Sequence, residues 1–223
     1  MEAYETKRYY LTPVEESDME WAASIMENPQ SSLDSVRDAL VLLKKLSEKG
    51  SLEAAELLGY SYREGRNHLS QNPDKCKLHM ERAANLGSTF AMDYLAWNYL
   101  KGECGFKKDG FKAHCLYHKL HNMEPDNNEY TIYYALGVFN GYPVDVDDDS
   151  CNISGITLQA VDKVMDASFY KTGNRGLALA MIKDLADKGD VLAKAMMKSV
   201  LSHISAESTA KVILNALFNL LPH

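Results

Sequence analysis

Three histidines are the first residues whose types and spacing suggest chemistry. His114, His118 and His121 fall at i, i+4 and i+7, on one face of a helix. The first two have the spacing of a zinc pair on successive turns. No Glu joins them in a His-Glu-x-x-His arrangement, and Lys112 and Lys119 stand close by. The expected reading is a solvated or partner-facing stripe, with no metal. Asp145, Asp147 and Asp149 have the one-three-five spacing of a calcium loop. Ser150, however, stands where that loop needs Gly, and Ile156 where it needs a bidentate Glu. A solvated acidic loop is expected there. The four cysteines, Cys76, Cys104, Cys115 and Cys151, form no Cys-x-x-Cys pair and fit no zinc pattern. They read as free thiols, with Cys104 on a loop the most reactive.

Ser168-Phe-Tyr-Lys171 and Ser208-Thr-Ala-Lys211 spell Ser-x-x-Lys, and Lys171-Thr-Gly173 spells the Lys-Thr-Gly of penicillin-recognising enzymes. Those sites put Lys-Thr-Gly on a strand far from the Ser, whereas here the two motifs share Lys171. Cys115 adjoins His114, but neighbours on a helix point apart. No phosphate-binding Gly loop, nucleophile elbow or dinucleotide fingerprint is present. The expectation is therefore a non-enzymatic chain with no catalytic residues and no cofactor. The competing reading is a hydrolase with a site of unrecognised type, or a metal-dependent enzyme at His114 and His118.

Composition narrows the partners. Of 223 residues, 46% are apolar and 25% charged, enough apolar surface to offset the ordering entropy of a folded chain. The 24 basic and 31 acidic residues leave a net charge of −7, with no Lys/Arg block. A phosphate-backbone binder would carry such a block, and anionic lipid would repel an acidic surface. Neither nucleic acid nor membrane is an expected partner, whereas a basic protein is. No run reaches the ~18 apolar residues of a membrane span, and Met1–Asp18 holds no signal-peptide core. A cytoplasmic location is expected.

The elements behind these residues are helices. Thr12-Pro13 followed by Glu15 and Glu16 reads as a capped helix start, ending before Asn28-Pro29. Ser32 opens a second helix with Val36, Ala39, Leu40, Leu43 and Leu46 on one face, closing at Lys49-Gly50. A repeat then shows itself. Leu46-Ser-Glu-Lys-Gly50-Ser-Leu-Glu-Ala54, Ala83-Ala-Asn-Leu-Gly87-Ser-Thr-Phe-Ala91 and Leu185-Ala-Asp-Lys-Gly189-Asp-Val-Leu-Ala193 share one pattern. Each is a helix end, a Gly turn, a polar residue and an Ala three positions later. Beyond the turn, Ala54, Leu58, Gly59, Tyr62 and Gly65 match Ala91, Leu95, Ala96, Tyr99 and Gly102 at an offset of 37. Ile132, Leu136 and Gly137 form a weaker copy offset by 41. Small residues at 59 and 96 let helices approach, and Leu58 and Tyr62 fill the seam on one face. One hairpin cannot bury such a face, so neighbours should stack.

Ala55-Glu-Leu-Leu-Gly59-Tyr-Ser-Tyr62-Arg-Glu-Gly65, then Asp74-x-x-Lys77, then Ala83-Ala84-x-x-Gly87-Ser88, resembles a Sel1-like repeat, a relative of the tetratricopeptide solenoids. The match is good over 51–122, fair over 33–50 and 175–203, and poor elsewhere. Ala96 replaces the helix Gly, and Asn140 sits where Tyr is expected. The family's Gly-x-Gly loop is absent from Glu64 to Asn72 and only approximated by Gly102-Glu-Cys-Gly105. The resemblance implies an all-α fold: one right-handed α-solenoid domain over 1–223, of about five helix-turn-helix repeats. Its parts are a degenerate first hairpin at 13–49, two clear repeats at 51–122 and a weak third repeat helix at 128–140. An inserted loop-helix follows at 141–174, then a C-terminal repeat and cap at 175–221. Within the insertion, a helix marked by Ile156, Ala160, Val161, Val164 and Ala167 should stop near Thr172-Gly173, with the repeat resuming at Arg175. From Thr209 a final, largely apolar helix needs cover, either from the inserted helix and the one before it or from a second copy in a two-fold dimer.

In tetratricopeptide-like geometry the residues interleaved with the seam line the concave face. These are Glu53, Glu56, Tyr60 and Arg63 in the first strong repeat and Phe90, Asp93, Trp97 and Lys101 in the second. Thr131, Tyr134 and Val138 follow in the third. Aromatic anchors flanked by charge are what peptide grooves use. The alternative is that Tyr60 and Trp97 pack between repeats as core. The groove reading implies a module that binds a partner protein or peptide as adaptor, effector or immunity-type inhibitor.

Overall fold

A computed structural model describes residues 9–65, 67–142, 144 and 170–204, with side chains described from 175 to 198 in the last of these stretches. The described residues form nine α-helices and no strand, as the spacing predicts. None of these helices is long and apolar enough to cross a membrane. The acidic run Asp145–Asp149, the inserted helix at Ile156–Ala167, Cys151, Ser168 and the chain from Thr209 lie outside the described residues. The chain divides into two compact units, Met1–Asp109 and Gly110–His223.

The first unit holds α1 (Pro13–Glu27), α2 (Leu33–Glu48), α3 (Leu52–Glu64), α4 (Pro73–Asn85) and α5 (Thr89–Lys101), each packed on the next. Thr12 and Glu15 close a capping box at the start of α1. The Glu15 carboxylate also accepts from Lys49 Nζ at 2.5 Å and from the Tyr9 hydroxyl at 2.9 Å, tying the start of α1 to the end of α2. The Lys49 bond, then those from Thr12 and Tyr9, hold its carboxyl down at about 2.

The Gly turns explain the repeat. Gly50 takes φ +99, its N–H bonds the Ser47 carbonyl at 3.0 Å, and the Ser51 N–H bonds the Leu46 carbonyl at 3.0 Å. This left-handed cap ends α2. The same Ser51 then accepts from the Ala54 N–H at 3.2 Å and begins α3. Gly87 and Ser88 repeat both halves, with Ser88 accepting from the Ala91 N–H at 2.9 Å. The polar residue after each Gly thus serves two helix ends. Past the turn, Leu58, Tyr62, Leu95, Ala96 and Tyr99 are all buried. A Cβ on Gly59 would lie 3.0 Å from Met80 Cγ, so α3 and α4 meet there as closely as a glycine allows. His79 on α4 stacks on Tyr62 at 5.8 Å between ring centroids.

The loops after α3 and α5 also repeat, although their sequences differ. Gly65, Asn67 and His68 take φ values of +65, +52 and +63, and Gly102, Cys104 and Gly105 take +74, +51 and +79. The Asn72 N–H returns to the Tyr62 carbonyl at 2.9 Å, and the Asp109 N–H to the Tyr99 carbonyl at 2.8 Å. Asn67 and His68 hold the left-handed conformation that Gly-x-Gly would take without strain. Their side chains bond the α1 end: Asn67 Nδ2 donates to the Ile25 carbonyl at 3.3 Å, and His68 Nε2 meets the Ser31 carbonyl at 3.1 Å.

The second unit holds α6 (Gly110–Met123), α7 (Asn128–Phe139), α8 (Tyr170–Asp187) and α9 (Val191–Ile204), with α7 packed on α6 and α8, and α8 on α9. The expected stop at Thr172-Gly173 is corrected: both lie inside α8, which runs unbroken to Asp187. A glycine inside a helix costs only about 1 kcal/mol, which the remaining turns of a helix this long can absorb. Gly189 and Asp190 repeat the two-ended turn, Asp190 Oδ1 accepting from the Ala193 N–H at 2.8 Å. Arg175 Nε donates to the Phe139 carbonyl at 3.1 Å at the end of α7.

Two predictions follow from this packing. Gly59→Leu should overpack the α3–α4 contact against Met80 and cost about 1–3 kcal/mol, measured by urea unfolding. Burial holds the His79 imidazole down at about 4, against 6.5 when free, and Arg82, Lys44 and Lys75 add to the shift. The unfolded chain therefore takes up this proton first, and stability should fall as pH drops from 6.5 to 4. His79→Leu should flatten that part of the profile, read as melting temperature against pH.

Candidate functional site

Packing leaves one face of α5 open. Phe90, Asp93, Tyr94, Trp97 and Asn98 fall at i, i+3, i+4, i+7 and i+8, a single stripe. With Arg63 from α3 and Glu103 and Cys104 from the following loop, they line a hollow of about 340 Å³. Phe90 is 46% exposed and Trp97 40%, high values for large aromatic side chains. A second hollow of about 300 Å³ is lined by Met26, Glu27, Leu57, Tyr60, Ser61 and Glu64.

Arg63 and Glu64 connect the two. The Arg63 guanidinium lies 4.9 Å from the Tyr60 ring centroid and 5.6 Å from that of Tyr94, and Arg63 donates to the Glu64 carboxylate from Nε and Nη2, both at 2.9 Å. Lys101 Nζ stands 4.7 Å from the Trp97 ring centroid. Each outward aromatic residue at this helix position, Tyr60 or Trp97, is thus covered by a cation from the next turn. Tyr94 sits deeper, with the Cys76 thiol donating to its hydroxyl at 3.4 Å. Burial, and then the Cys76 bond, push the Tyr94 phenol far up, so it stays neutral at ordinary pH.

The structure therefore brings Arg63, Phe90, Asp93 and Trp97 into one hollow and puts Tyr60 in the adjoining one. Glu53, Glu56 and Lys101 line neither. Glu53 accepts from Ser51 Oγ at 3.2 Å, and Glu56 accepts from the Ser88 hydroxyl, linking α3 to the start of α5. Sequence reasoning missed Tyr94, Asn98, Glu103 and Cys104. The signal for Tyr94 and Asn98 was their i+4 and i+8 spacing from Phe90, obscured by the narrower seam pattern.

The second unit corrects two expectations. Thr131, Tyr134 and Val138 do not line an open face: they are 8%, 5% and 0% exposed. Nor are the histidines a solvated stripe. His114 is 2% exposed, and its ring lies so close to Gly137 that a Cβ there would fall 2.0 Å from Nδ1. His114 and His121 stack on Tyr134 at 5.5 and 5.2 Å, His118 meets the same ring at 5.2 Å, and His114 also stacks on Tyr142 at 5.3 Å. His121 Nδ1 shares a 2.8 Å hydrogen bond with Thr131 Oγ1. Thr131 bonds His121, and Tyr134 lies against all three histidine rings, so α6 covers both. Burial, and next the nearby His118, hold His121 below its ordinary range. Among the described residues no three His, Cys, Asp or Glu side chains gather to hold a metal ion. Cys76, Cys104 and Cys115 are free thiols, and only Cys104 is exposed.

In comparisons with known proteins, no family model and no curated sequence matches this chain.

The His121–Thr131 bond gives a direct check on the α6–α7 geometry. A double-mutant cycle with His121→Ala and Thr131→Val should return a coupling of about 0.5–1.5 kcal/mol by urea unfolding. A solvent-facing histidine stripe would return none.

Proposed function

We propose that the chain is a non-enzymatic, cytoplasmic Sel1-like solenoid that grips a short segment of a partner protein in the hollow between α3 and α5. The observation that carries the reading is the pair of outward rings on α5, Phe90 at 46% and Trp97 at 40% exposure, set beside Arg63 and Asp93 in one concavity. Rigid, exposed aromatic rings in a hollow are efficient anchors, because they offer large contact area and lose little side-chain entropy on binding. The 37-residue repetition of caps, left-handed loops and small seam residues supports the Sel1-like reading. Asp93 and Glu103 in the wall, together with a net charge of −7, favour a segment that pairs an apolar side chain with Lys or Arg. Adaptor, effector and inhibitor roles all use such a grip.

Selection from a random peptide display library against the full chain tests this. Enriched peptides should pair a basic with an apolar or aromatic residue. Trp97→Ala should weaken the best of them about tenfold or more. Trp21→Ala, which removes a comparably exposed ring on α1, should leave affinity unchanged. Enrichment of acidic peptides, or equal affinity in Trp97→Ala, would overturn the proposal.

A further inference from the structure

The second hollow, between the end of α1 and α3, has a chemistry of its own. Asn67 donates from Nδ2 to the Ile25 and Met26 carbonyls and ties the loop after α3 to the end of α1, so both walls are held before anything binds. Met26 and Leu57 give the lining an apolar part, and its polar groups are nearly all acceptors. Glu27 and Glu64 supply carboxylates. Ser61 spends its hydroxyl proton on the Leu57 carbonyl at 2.7 Å, which leaves it lone pairs only. Tyr60 alone among the lining side chains can donate. Glu64 is held by Arg63 at 2.9 Å. Glu27 is exposed, and among the described residues its carboxylate has no ion-pair or hydrogen-bond partner. It is also the last residue of α1, whose last turn holds no basic residue, so its charge adds to the negative end of the helix dipole. The occupant that answers all of this carries donors and positive charge on a hydrocarbon stem, as lysine and arginine do.

We propose that this hollow takes a Lys or Arg side chain of the same partner segment whose apolar residue sits against Phe90 and Trp97. The inference rests on the peptide-binding reading and adds to it a second subsite and a spacing. The stem of the side chain lies along Met26 and Leu57, and its cation reaches Glu27 and shares Glu64 with Arg63. Arg63 sets the spacing. Its guanidinium lies 4.9 Å from the Tyr60 ring centroid in this hollow and 5.6 Å from that of Tyr94 in the other. An extended chain rises ~3.3 Å per residue, so about two or three residues carry the segment across the arginine. Asp93 and Glu103 line the other hollow and bear on residues beside the apolar anchor, whereas Glu27 and Glu64 select the residue farther along. An acidic side chain at that position would meet two carboxylates against one guanidinium and is disfavoured.

The test runs the random peptide display selection on the full wild-type chain and on Glu27→Gln in parallel. Wild type should enrich Lys or Arg two or three positions from the apolar anchor. Glu27→Gln should lose that enrichment and keep the anchor. Synthetic peptides of the wild-type consensus then give affinities by fluorescence anisotropy. Replacing the Lys or Arg by norleucine should weaken binding to wild type about threefold to fivefold at low salt, and binding to Glu27→Gln less than about twofold. Added sodium chloride should shrink the wild-type difference. Glu27 is exposed, so an unchanged melting curve confirms that the variant is folded. The two readings fail separately. Peptides that bind Trp97→Ala as well as wild type overturn the peptide reading and this subsite with it. Three results overturn the subsite alone: basic enrichment at that spacing that survives Glu27→Gln, basic enrichment that yields only to Asp93→Asn, or an acidic residue enriched there instead.

Discussion

One residue serving two helix ends is the constraint on which the described architecture depends. At Ser51, Ser88 and Asp190 the backbone N–H completes the cap of the helix before, and the side chain accepts a free first-turn N–H, that of the third residue, of the helix after. The preceding glycine must take positive φ, a region open to it at little cost. A connection this short has almost no freedom, so the second helix leaves in a direction set by the first. The Ala three positions later, 54, 91 or 193, is fully buried at the new helix's first turn. A larger side chain there would push the two helices apart. Gly, polar residue and Ala are thus one joint, and its first two copies are separated by α3, the loop after it and α4.

The joint brings helices close, and what fills the resulting seam decides the rest. Between α3 and α4 the close approach is at Gly59, filled by the flexible thioether of Met80. Between α6 and α7 it is at Gly137, filled by the flat ring of His114. The consequences differ. A methionine adapts to its gap and demands little of its neighbours. The histidine ring laid on a glycine meets Tyr134 and Tyr142, and His118 and His121 pack on the same Tyr134 ring. That cluster covers the outward side of α7. The helix position that leaves Trp97 at the surface of α5 holds a fully buried Val138 in α7, which packs on both α6 and α8.

Much of this was legible in the residues, because caps and glycine turns are local. Thr12, Ser32, Ser51 and Ser88 cap the helices they precede, and Gly50, Gly87 and Gly189 take the left-handed conformation their positions called for. Two features were hidden. The loop after α3 lacks Gly-x-Gly, yet Gly65, Asn67 and His68 take the positive φ of Gly102, Cys104 and Gly105, and the Asn67 and His68 side chains bond the end of α1 and the turn after it. That compensation is a long-range contact, which a local motif does not encode. The histidine spacing was read correctly as one helix face, but spacing alone does not say which face. The deciding residue is Gly137, whose missing side chain makes room for His114 on a different helix.

The open face of α5 raises a physical question: how a chain keeps large aromatic rings at its surface without collapsing them inward. The answer lies in the cations one turn away. Arg63 covers Tyr60 at 4.9 Å and Lys101 covers Trp97 at 4.7 Å. Each replaces part of the ring's contact with water by its own hydrocarbon stem and by attraction to the ring face. Such a contact at an exposed site contributes only about 0.5–1 kcal/mol. A cover that weak is enough to hold an exposed ring in place but not to lock it there. The lysine over Trp97 is a flexible chain and swings away at little cost. The arginine is held more firmly by Glu64 and by the second ring of Tyr94. The α5 rings are therefore the adaptable side of the hollow, and Arg63 is its fixed wall.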